Sequence, residues 1–214
     1  EQAVMRTWPK TVPTIAAFNY RWFPHHNRVT DVVEVVHWRD AIEMLRVSCV
    51  EFAFQLDADF ATFQRAWQDA LDVIDDFATQ GRYPFNMTLN ARFIKSSDCL
   101  LAPALGPGHV CYIEILSSAE TPHWQEFASA IALRWMKLPG ARPHWAKEWE
   151  FIPGIEAFIG RAYAAQLKQF LAIHEALGVD PERRFSNALL DRVIFGKAAH
   201  AVAQPPPISL EMAR

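Results

Sequence analysis

The stretch that most constrains the fold of this chain is residues 83–94, YPFNMTLNARFI, in which apolar and polar side chains alternate. Alternation with a period of two is typical of a β-strand with one buried face and one open face. The apolar row is formed by Met87, Leu89, Ala91 and Phe93. On the other row Asn90 and Arg92 stand next to each other, which predicts a lined pocket; a structural arginine paired with a neighbouring acid is the alternative.

Segments around this strand carry strand and helix patterns of their own. Residues 47–55 and 110–116 alternate like strands, and residues 29–36 are rich in β-branched side chains. Helical spacing of apolar residues runs from position 57 to a stop at Gly81, and a second helix is expected between Thr121-Pro122 and Pro139-Gly140. This order predicts an α+β fold, a mainly antiparallel sheet with helices packed on one face in a ferredoxin-like arrangement.

The remaining segments define the expected domain organisation. Residues 1–28 are rich in Pro and Trp and predict an irregular lead-in, with His25 and His26 as surface histidines. One domain follows over residues 29–197, with a short helix at 38–45 and a C-terminal helical segment that includes a long helix at 155–177. Residues 198–214, which contain three consecutive prolines, predict a loose tail.

The open face of the predicted sheet carries the functional argument. If the strand registers agree, polar side chains from several strands lie on this face together. They are Glu51, Thr88, Asn90, Arg92, Tyr112 and Glu114. Because burying unpaired charge is costly, a face of this kind must meet water or a polar partner.

Composition excludes several classes of function. The net charge of −3 gives no long-range attraction to phosphate backbones or anionic membranes, which argues against nucleic-acid binding. No apolar run reaches the length of a membrane span. The three cysteines are odd in number and widely spaced, so we expect mostly buried thiols and neither a disulfide framework nor a metal site. The sequence also contains no glycine-rich phosphate-binding loop.

The start of the chain leaves its compartment open. The first residues, EQAV, have neither the basic nor the apolar region of a signal peptide, and the chain begins without Met. We expect a soluble chain that is a processed product or the tail of a longer protein, and no localisation follows from it.

Four motifs occur in a fixed order along the chain. They are P-x-N-x-T-x-x-x-R at 84–92, T-P-H at 121–123, R-P-H-W-A-K-E-W at 142–149 and D-P-x-x-x-F-S-N at 180–187. Over roughly residues 20–196 the chain thereby resembles the substrate-binding part of flavoprotein oxidases of the vanillyl-alcohol oxidase type. The resemblance is greatest to the type II, flavin-linked cholesterol oxidases. The sugar-lactone and alditol oxidases come next, and they share the Arg-Pro-His-Trp-x-Lys box.

The resemblance implies roles for the residues of the central strand. In that family a Glu-x-Arg pair lies near the flavin ring and takes part in substrate activation. Here Arg92 keeps the arginine, but Asn90 replaces the acid. A carboxylate can act as a base toward a substrate hydroxyl, whereas an amide only hydrogen-bonds. Either Glu51 or Glu114 supplies the missing acid, or the protein oxidises weakly or not at all.

The other motifs imply further residues of the site. By resemblance, Asn187 reaches the flavin or substrate end of the pocket, and Lys147 and His144 line it, together with Tyr112 and Glu114 of the polar face. The alternative for Lys147 and His144 is a salt-bridged loop that locks the two ends of the domain.

The resemblance also implies a cofactor and a partner. These oxidases bind FAD through a separate N-terminal domain, which is absent from this chain, so we expect a substrate-binding (cap) domain that is inactive alone and needs an FAD-binding domain or subunit. The many Phe and Trp side chains favour a bulky, sterol-like alcohol over a sugar lactone or alditol. Two non-enzymatic alternatives are a standalone ligand-binding module and an α+β domain whose polar face binds a protein.

Overall fold

The computed structural model describes residues 2–22 and 46–196 of the chain. Several sequence-based predictions lie outside the described residues. They are the strand-like run at 29–36, the short helix at 38–45, the surface pair His25 and His26, and the loose tail at 198–214.

Seven α-helices and four β-strands make up the described part of the chain. The helices are α1 Gln2–Thr7, α2 Val12–Trp22, α3 Ala61–Thr79, α4 Trp124–Trp135, α5 Ile155–Ala162, α6 Ala164–Leu177 and α7 Ala188–Val193. The strands are β1 Val47–Gln55, β2 Leu89–Lys95, β3 His109–Ser118 and β4 Arg142–Pro143. None of the helices in this part of the chain has the length and apolarity needed to cross a membrane.

The four strands form one antiparallel sheet in the order β2-β3-β1-β4. The central strands β1 and β3 pair along nine positions, from Val47 opposite Ser118 to Gln55 opposite Val110. Val50, Phe52 and Phe54 alternate along β1 and are completely buried on the core face. Glu51 and Ala53, on the opposite face, are buried as well, so the centre of β1 is covered on both sides. The predicted α+β fold with a mainly antiparallel sheet is confirmed.

Helices α3 and α4 cover the apolar face of the sheet. Trp135 of α4 holds the layers together, because its ring lies 5.7 Å from that of Phe52 and 5.5 Å from that of Phe54, in edge-on contact. Its indole Nε1–H donates to the Ala66 carbonyl of α3 over 2.8 Å. The predicted core positions Phe127, Ile131 and Trp135 of α4 are all completely buried.

The buried face of α3 agrees in part with the apolar spacing of its sequence, which runs from Phe60 to Phe77. Phe77 is buried in the core and Phe63, Trp67 and Ile74 pack against it, but Phe60 is 47% exposed and Leu71 is 37% exposed. Ala66 and Ala70 are completely buried as well. Small side chains let the helix approach the sheet closely, whereas Phe60 precedes the helix and packs on Phe93 at the edge strand, with ring centroids 6.0 Å apart.

The predicted irregular lead-in is helical over residues 2–22, which corrects the sequence-based expectation. Its prolines do not interrupt the helices, since Pro9 begins a 3-10 turn and Pro13 lies in the first turn of α2, where no intrahelical N–H is needed. Met5 and Val12 are buried, and the Arg6 guanidinium lies 2.7 Å from the Glu120 carboxylate. The segment therefore packs against the rest of the domain.

The predicted single helix at 155–177 is two helices, α5 and α6, which meet at Tyr163. Tyr163 leaves helical geometry with φ of −117° and is completely buried, with its ring 5.5 Å from that of Trp145. Burying this ring breaks the helix. No residue of α6 is fully buried, although Leu167, Phe170 and Leu171 pack against the core, and Ile173 is 44% exposed.

The strand predicted from residue 83 begins only at Leu89. The residues before it form a loop that the side-chain amide of Asn86 ties to residues 117–121 by hydrogen bonds. The Asn86 Oδ1 accepts hydrogen bonds from Ser117 Oγ at 3.0 Å and from the Ser118 backbone N–H at 2.9 Å. Its Nδ2 donates to Thr121 Oγ1 at 3.0 Å. Thr121 was predicted to cap α4, but its hydroxyl donates to the Ser118 carbonyl instead, and α4 starts two residues later than predicted.

Candidate functional site

The sheet face opposite α3 and α4 collects polar side chains from β1, β2 and β3. Along one row of the sheet, Asn90 pairs with Glu114 and Glu114 pairs with Glu51. In the next row Arg92 pairs with Tyr112. Since residues directly opposite each other in a sheet share a face, the observed register brings these five side chains together. Thr88 precedes β2 and is exposed.

The R-P-H-W-A-K-E-W box lies along the free edge of β1. Its first residues form β4, which pairs with β1, although the sequence suggested an irregular stretch. Beyond β4, the His144 N–H donates to the Glu51 carbonyl at 2.9 Å and the Glu148 N–H donates to the Cys49 carbonyl at 3.0 Å. These two bonds continue the pairing irregularly and place the box next to the polar face.

Arg92 is anchored by an acid that lies beneath it. Its Nη2 donates to Oε1 of Glu51, whose side chain is completely buried, while the Arg92 side chain is 57% exposed. The hydrogen bond to this carboxylate raises the pKa of the arginine. The guanidinium carbon lies 5.4 Å from the centroid of the Tyr112 ring. Arg92 is therefore both a paired structural arginine and a cation presented on an open face.

The second oxygen of Glu51 is buried, and no group of the described residues donates a hydrogen bond to it. His144 Nε2 lies 3.9 Å from this Oε2 atom, which is beyond hydrogen-bonding distance. The Ala146 N–H donates to His144 Nδ1 at 3.2 Å, so the neutral imidazole carries its proton on Nε2. The ring of His144 also contacts that of Tyr112 edge-on, with centroids 5.7 Å apart.

Glu114 is held from two sides. Lys147 Nζ lies 2.7 Å from its Oε1, and Asn90 Nδ2 donates to its Oε2 over a long 3.4 Å. Burial alone would lower the pKa of Lys147, but the hydrogen bond and charge of Glu114, with the charges of Cys49 and Glu51, outweigh burial and raise it. Lys147 therefore stays protonated, and Glu114 pairs with a charged partner.

The loop over residues 99–105 closes one end of the polar face. Arg142 Nη1 donates to the Leu105 carbonyl at 2.7 Å, and Trp145 Nε1 donates to the Leu101 carbonyl at 2.6 Å. Ala104 of this loop packs on Tyr112, whose pKa is raised by burial and by the charge of Glu51. On the β2 side the described residues leave the face open, which differs from the enclosed pocket expected from the sequence.

Asn187 lies away from the polar face. It is the N-cap of α7, and its Oδ1 accepts from the Leu190 N–H at 2.9 Å. It lines a mainly apolar cavity of about 560 Å³ between the box and the C-terminal helices. Neither Arg92 nor Glu114 lines this cavity. The role of Asn187 at the flavin or substrate therefore stays a prediction.

Cys49 also lies on the polar face, although it is not among the site residues predicted from the sequence. It is two positions from Glu51 on β1, and this spacing places both side chains on the same face. Burial raises the pKa of its thiol, and the ammonium of Lys147 partly offsets this effect. The expectation of mostly buried thiols holds in part: Cys111 is buried and Cys49 half-buried, but Cys99 is exposed. No cluster of His, Cys, Asp and Glu within residues 2–22 and 46–196 is arranged to hold a metal ion.

The comparison with protein families gives one match. A family model described as D-arabinono-1,4-lactone oxidase matches residues 2–193, nearly the whole chain. This is a sugar-lactone oxidase family of the flavoprotein oxidase class. No curated protein matches the sequence. The match favours the sugar-lactone alternative over the sterol oxidase, for which it gives no support.

Proposed function

The chain belongs to the D-arabinono-1,4-lactone oxidase family, and we propose that it is the substrate-facing domain of an FAD-dependent oxidase of a sugar lactone. The reaction is the oxidation of a CH–OH group, with oxygen as the final acceptor. The sterol-like alcohol that the aromatic content suggested is not retained, because those side chains are explained by packing: Phe52, Phe54 and Trp135 form the core between sheet and helices.

The observation that carries this proposal is the environment of Arg92. Its guanidinium is anchored by a completely buried carboxylate, while the Arg92 side chain as a whole is 57% exposed. A cation that is fixed before the substrate arrives stabilises negative charge that develops on a bound oxygen, because no reorganisation is needed during the reaction. Lys147, held by Glu114, presents a second cation in the neighbouring row of the same face.

The open side of the polar face supports a partner domain. Asn90 and Arg92 belong to β2, which is an edge strand of the four-stranded sheet, and both residues are exposed. Oxidation by hydride transfer requires that water be excluded from the reacting groups. We propose that the FAD-binding domain or subunit covers this face and completes the site.

The residues of the polar face are suited to bind a sugar lactone and the reacting part of a flavin ring. They are less suited to bind the remaining parts of FAD. Arg92, Lys147 and Asn90 donate hydrogen bonds, which suits the oxygen-rich edge of both molecules. FAD supplies the hydride acceptor when bound. A glycine-rich loop at a helix N-terminus is a common site for a pyrophosphate, and this sequence contains none. The phosphates are therefore assigned to residues outside these 214.

A second candidate function is favoured by Asn90, which replaces the acid of the Glu-x-Arg pair. With the amide, the chain would be a binding module that takes up a sugar lactone without oxidising it. Both candidates use the same face and predict lactone binding, so only the redox reaction separates them.

The test is to express the chain with its FAD-binding domain, as a single protein or a complex, and to add D-arabinono-1,4-lactone without oxygen. We expect the visible absorbance of the flavin to bleach, and hydrogen peroxide to form when air is admitted. Lactone binding without bleaching would favour the module. The 214-residue chain alone is expected to be colourless, so a yellow preparation would contradict the assignment of FAD to another domain.

A further inference from the structure

An acid faces position 90 from the neighbouring strand. Glu114 lies directly opposite Asn90 in the β2–β3 pair, and the Asn90 amide donates to Glu114 Oε2 at 3.4 Å. Adjacent strands are separated by about 4.8 Å. Positions 90 and 114 therefore hold one amide and one carboxylate, and the carboxylate lies on β3 instead of β2.

The oxidation of a hydroxyl needs a group that takes up its proton, and most polar groups of this face cannot do so. Arg92 and Lys147 both have a raised pKa because of their carboxylate partners, so both stay protonated at neutral pH. The pKa of the Tyr112 hydroxyl is raised mainly by burial, and Cys49 shifts in the same direction for the same reason. Neither is deprotonated at neutral pH.

The two remaining candidates beside Glu114 are excluded by geometry. The Glu51 carboxylate is completely buried below Arg92, where a substrate on the open face does not reach it. The lone pair of His144 is used at Nδ1 by the Ala146 N–H, and its Nε2 carries the proton. Glu114 has a side chain that is 14% exposed, at the level of Lys147 and Asn90.

The two oxygens of Glu114 are held unequally. Oε1 makes a 2.7 Å ion pair with Lys147, whereas within residues 2–22 and 46–196 Oε2 has only the long 3.4 Å contact with the exposed Asn90 amide. Oε2 therefore has lone pairs left for a hydroxyl group that approaches from the open side. The charged and titratable groups around the carboxylate are Lys147 from the box, Arg92 from β2, and Cys49 and Glu51 from β1.

We propose that Glu114 is the catalytic carboxylate of this chain: its Oε2 accepts a hydrogen bond from the substrate hydroxyl and takes up the proton, in place of the acid that family members carry at position 90. This assignment rests on the proposed function. The hydroxyl O–H bond would break with its proton going to Glu114 as the C=O bond forms, and FAD, when bound, would supply the acceptor for the C–H hydrogen and its electron pair. Lys147 positions the carboxylate, and Asn90 orients the hydroxyl.

The first test measures binding and needs no flavin. D-arabinono-1,4-lactone is titrated into the 214-residue chain by isothermal calorimetry, for the wild type, Glu114→Gln and Glu148→Gln. Losing a charged hydrogen-bond acceptor is expected to weaken binding about tenfold to a hundredfold in Glu114→Gln. Glu148 is an exposed acid of the same box, so Glu148→Gln is the matched control and should bind like the wild type.

The second test moves the acid back to β2. In the double variant Asn90→Glu with Glu114→Gln, the carboxylate and the amide exchange strands. Lactone affinity should recover to within about threefold of the wild type, because positions 90 and 114 again hold one carboxylate and one amide. Thermal melting of each variant shows whether it folds. If Glu114→Gln does not fold, the double variant and Glu114→Asp, which keeps the charge, carry the test.

The outcomes separate this assignment from the proposed function. Equal lactone binding by the wild type and a folded Glu114→Gln overturns the role of Glu114 and leaves the proposed function standing. A double variant that folds but binds no better than Glu114→Gln also overturns it. A wild-type chain that neither binds the lactone alone nor oxidises it with its FAD-binding domain overturns the proposed function, and the role of Glu114 with it.

Discussion

At the scale of single residues, Asn86 and Asn90 lie four positions apart but have different roles. Asn86 is partly buried and ties the loop before β2 to Ser117, Ser118 and Thr121 through both ends of its amide. Asn90 is exposed, and among the described residues its amide makes the long contact with Glu114. Both asparagines belong to the alternating stretch 83–94, whose first part holds the fold together and whose second part faces the site.

Asn86→Ala should lower the free energy of unfolding by about 2–3 kcal/mol, because it removes the acceptor of the N–H of buried Ser118. The Ser117 and Thr121 hydroxyls keep the Pro84 and Ser118 carbonyls as acceptors. Urea denaturation measures the change. Asn90→Ala is the matched control and should change stability by less than about 0.5 kcal/mol. Equal effects of the two substitutions would show that the Asn86 hydrogen bonds do not hold the loop.

Arg92→Ala should destabilise the fold as well as impair the site, because it leaves the buried Glu51 carboxylate without its partner. We expect a loss of about 2–3 kcal/mol, at or below the lower end for breaking a buried pair, since water reaches the half-exposed Arg92 side chain. Adding Glu51→Gln should restore part of the stability but none of the lactone oxidation. Arg6→Ala, in an exposed pair, is the control and should cost less than about 1 kcal/mol.

At the scale of elements, α4 connects both layers of the domain. Its Trp135 contacts β1 through two phenylalanine rings and α3 through one hydrogen bond. The aromatic spacing of the sequence predicted that α4 is buried. For α3 it identified Phe77 as a core residue but not the exposure of Phe60, which packs with Phe63 and Phe93 in an aromatic cluster at the edge of the sheet.

Trp135→Ala should cost about 3–5 kcal/mol, because it removes a completely buried ring from between two layers. Trp135→Phe keeps most of the ring but loses the hydrogen bond to Ala66, and should cost about 1–2 kcal/mol. Leu133 on the same helix is 39% exposed, so Leu133→Ala is the control with a small effect. Thermal melting would contradict this packing if Trp135→Ala and Leu133→Ala melted together.

At the scale of the whole molecule, buried tyrosine hydroxyls and a buried cysteine thiol determine how stability changes at high pH. Burial raises the pKa of Tyr112 and Tyr163 and raises that of Cys111 to about 12. Below the unfolded-state pKa values, about 8.5 for Cys and about 10 for Tyr, these groups are neutral in both states. Above them the unfolded chain ionises first, so stability falls as pH rises toward the folded-state values.

The melting temperature should therefore fall steadily from about pH 8.5 to about pH 11, and the slope should be smaller in a Tyr112→Phe/Tyr163→Phe variant. Tyrosinate absorbance of the folded wild type should show these two rings titrating only as the protein unfolds. A melting temperature that stays constant over this range would contradict the burial of these groups.

Local pattern was enough to predict much of this protein. Alternation placed Glu51, Asn90, Arg92, Tyr112 and Glu114 on one side of their strands, since the direction of a side chain in a strand follows from its position alone. The same rule identified the core face of β1, and helical spacing identified that of α4. The motif order indicated a flavoprotein oxidase, which the family match supports.

Tertiary structure decided everything that depends on which groups meet across the chain. Strand register placed Glu114 opposite Asn90 and buried Glu51 beneath Arg92, so two acids that the sequence left equivalent have different roles in the proposed site. Tertiary packing also interrupts, at Tyr163, a segment whose sequence pattern is continuously helical. The burial of a side chain and the partner it pairs with depend on residues that are distant in sequence, and local periodicity contains no information about them.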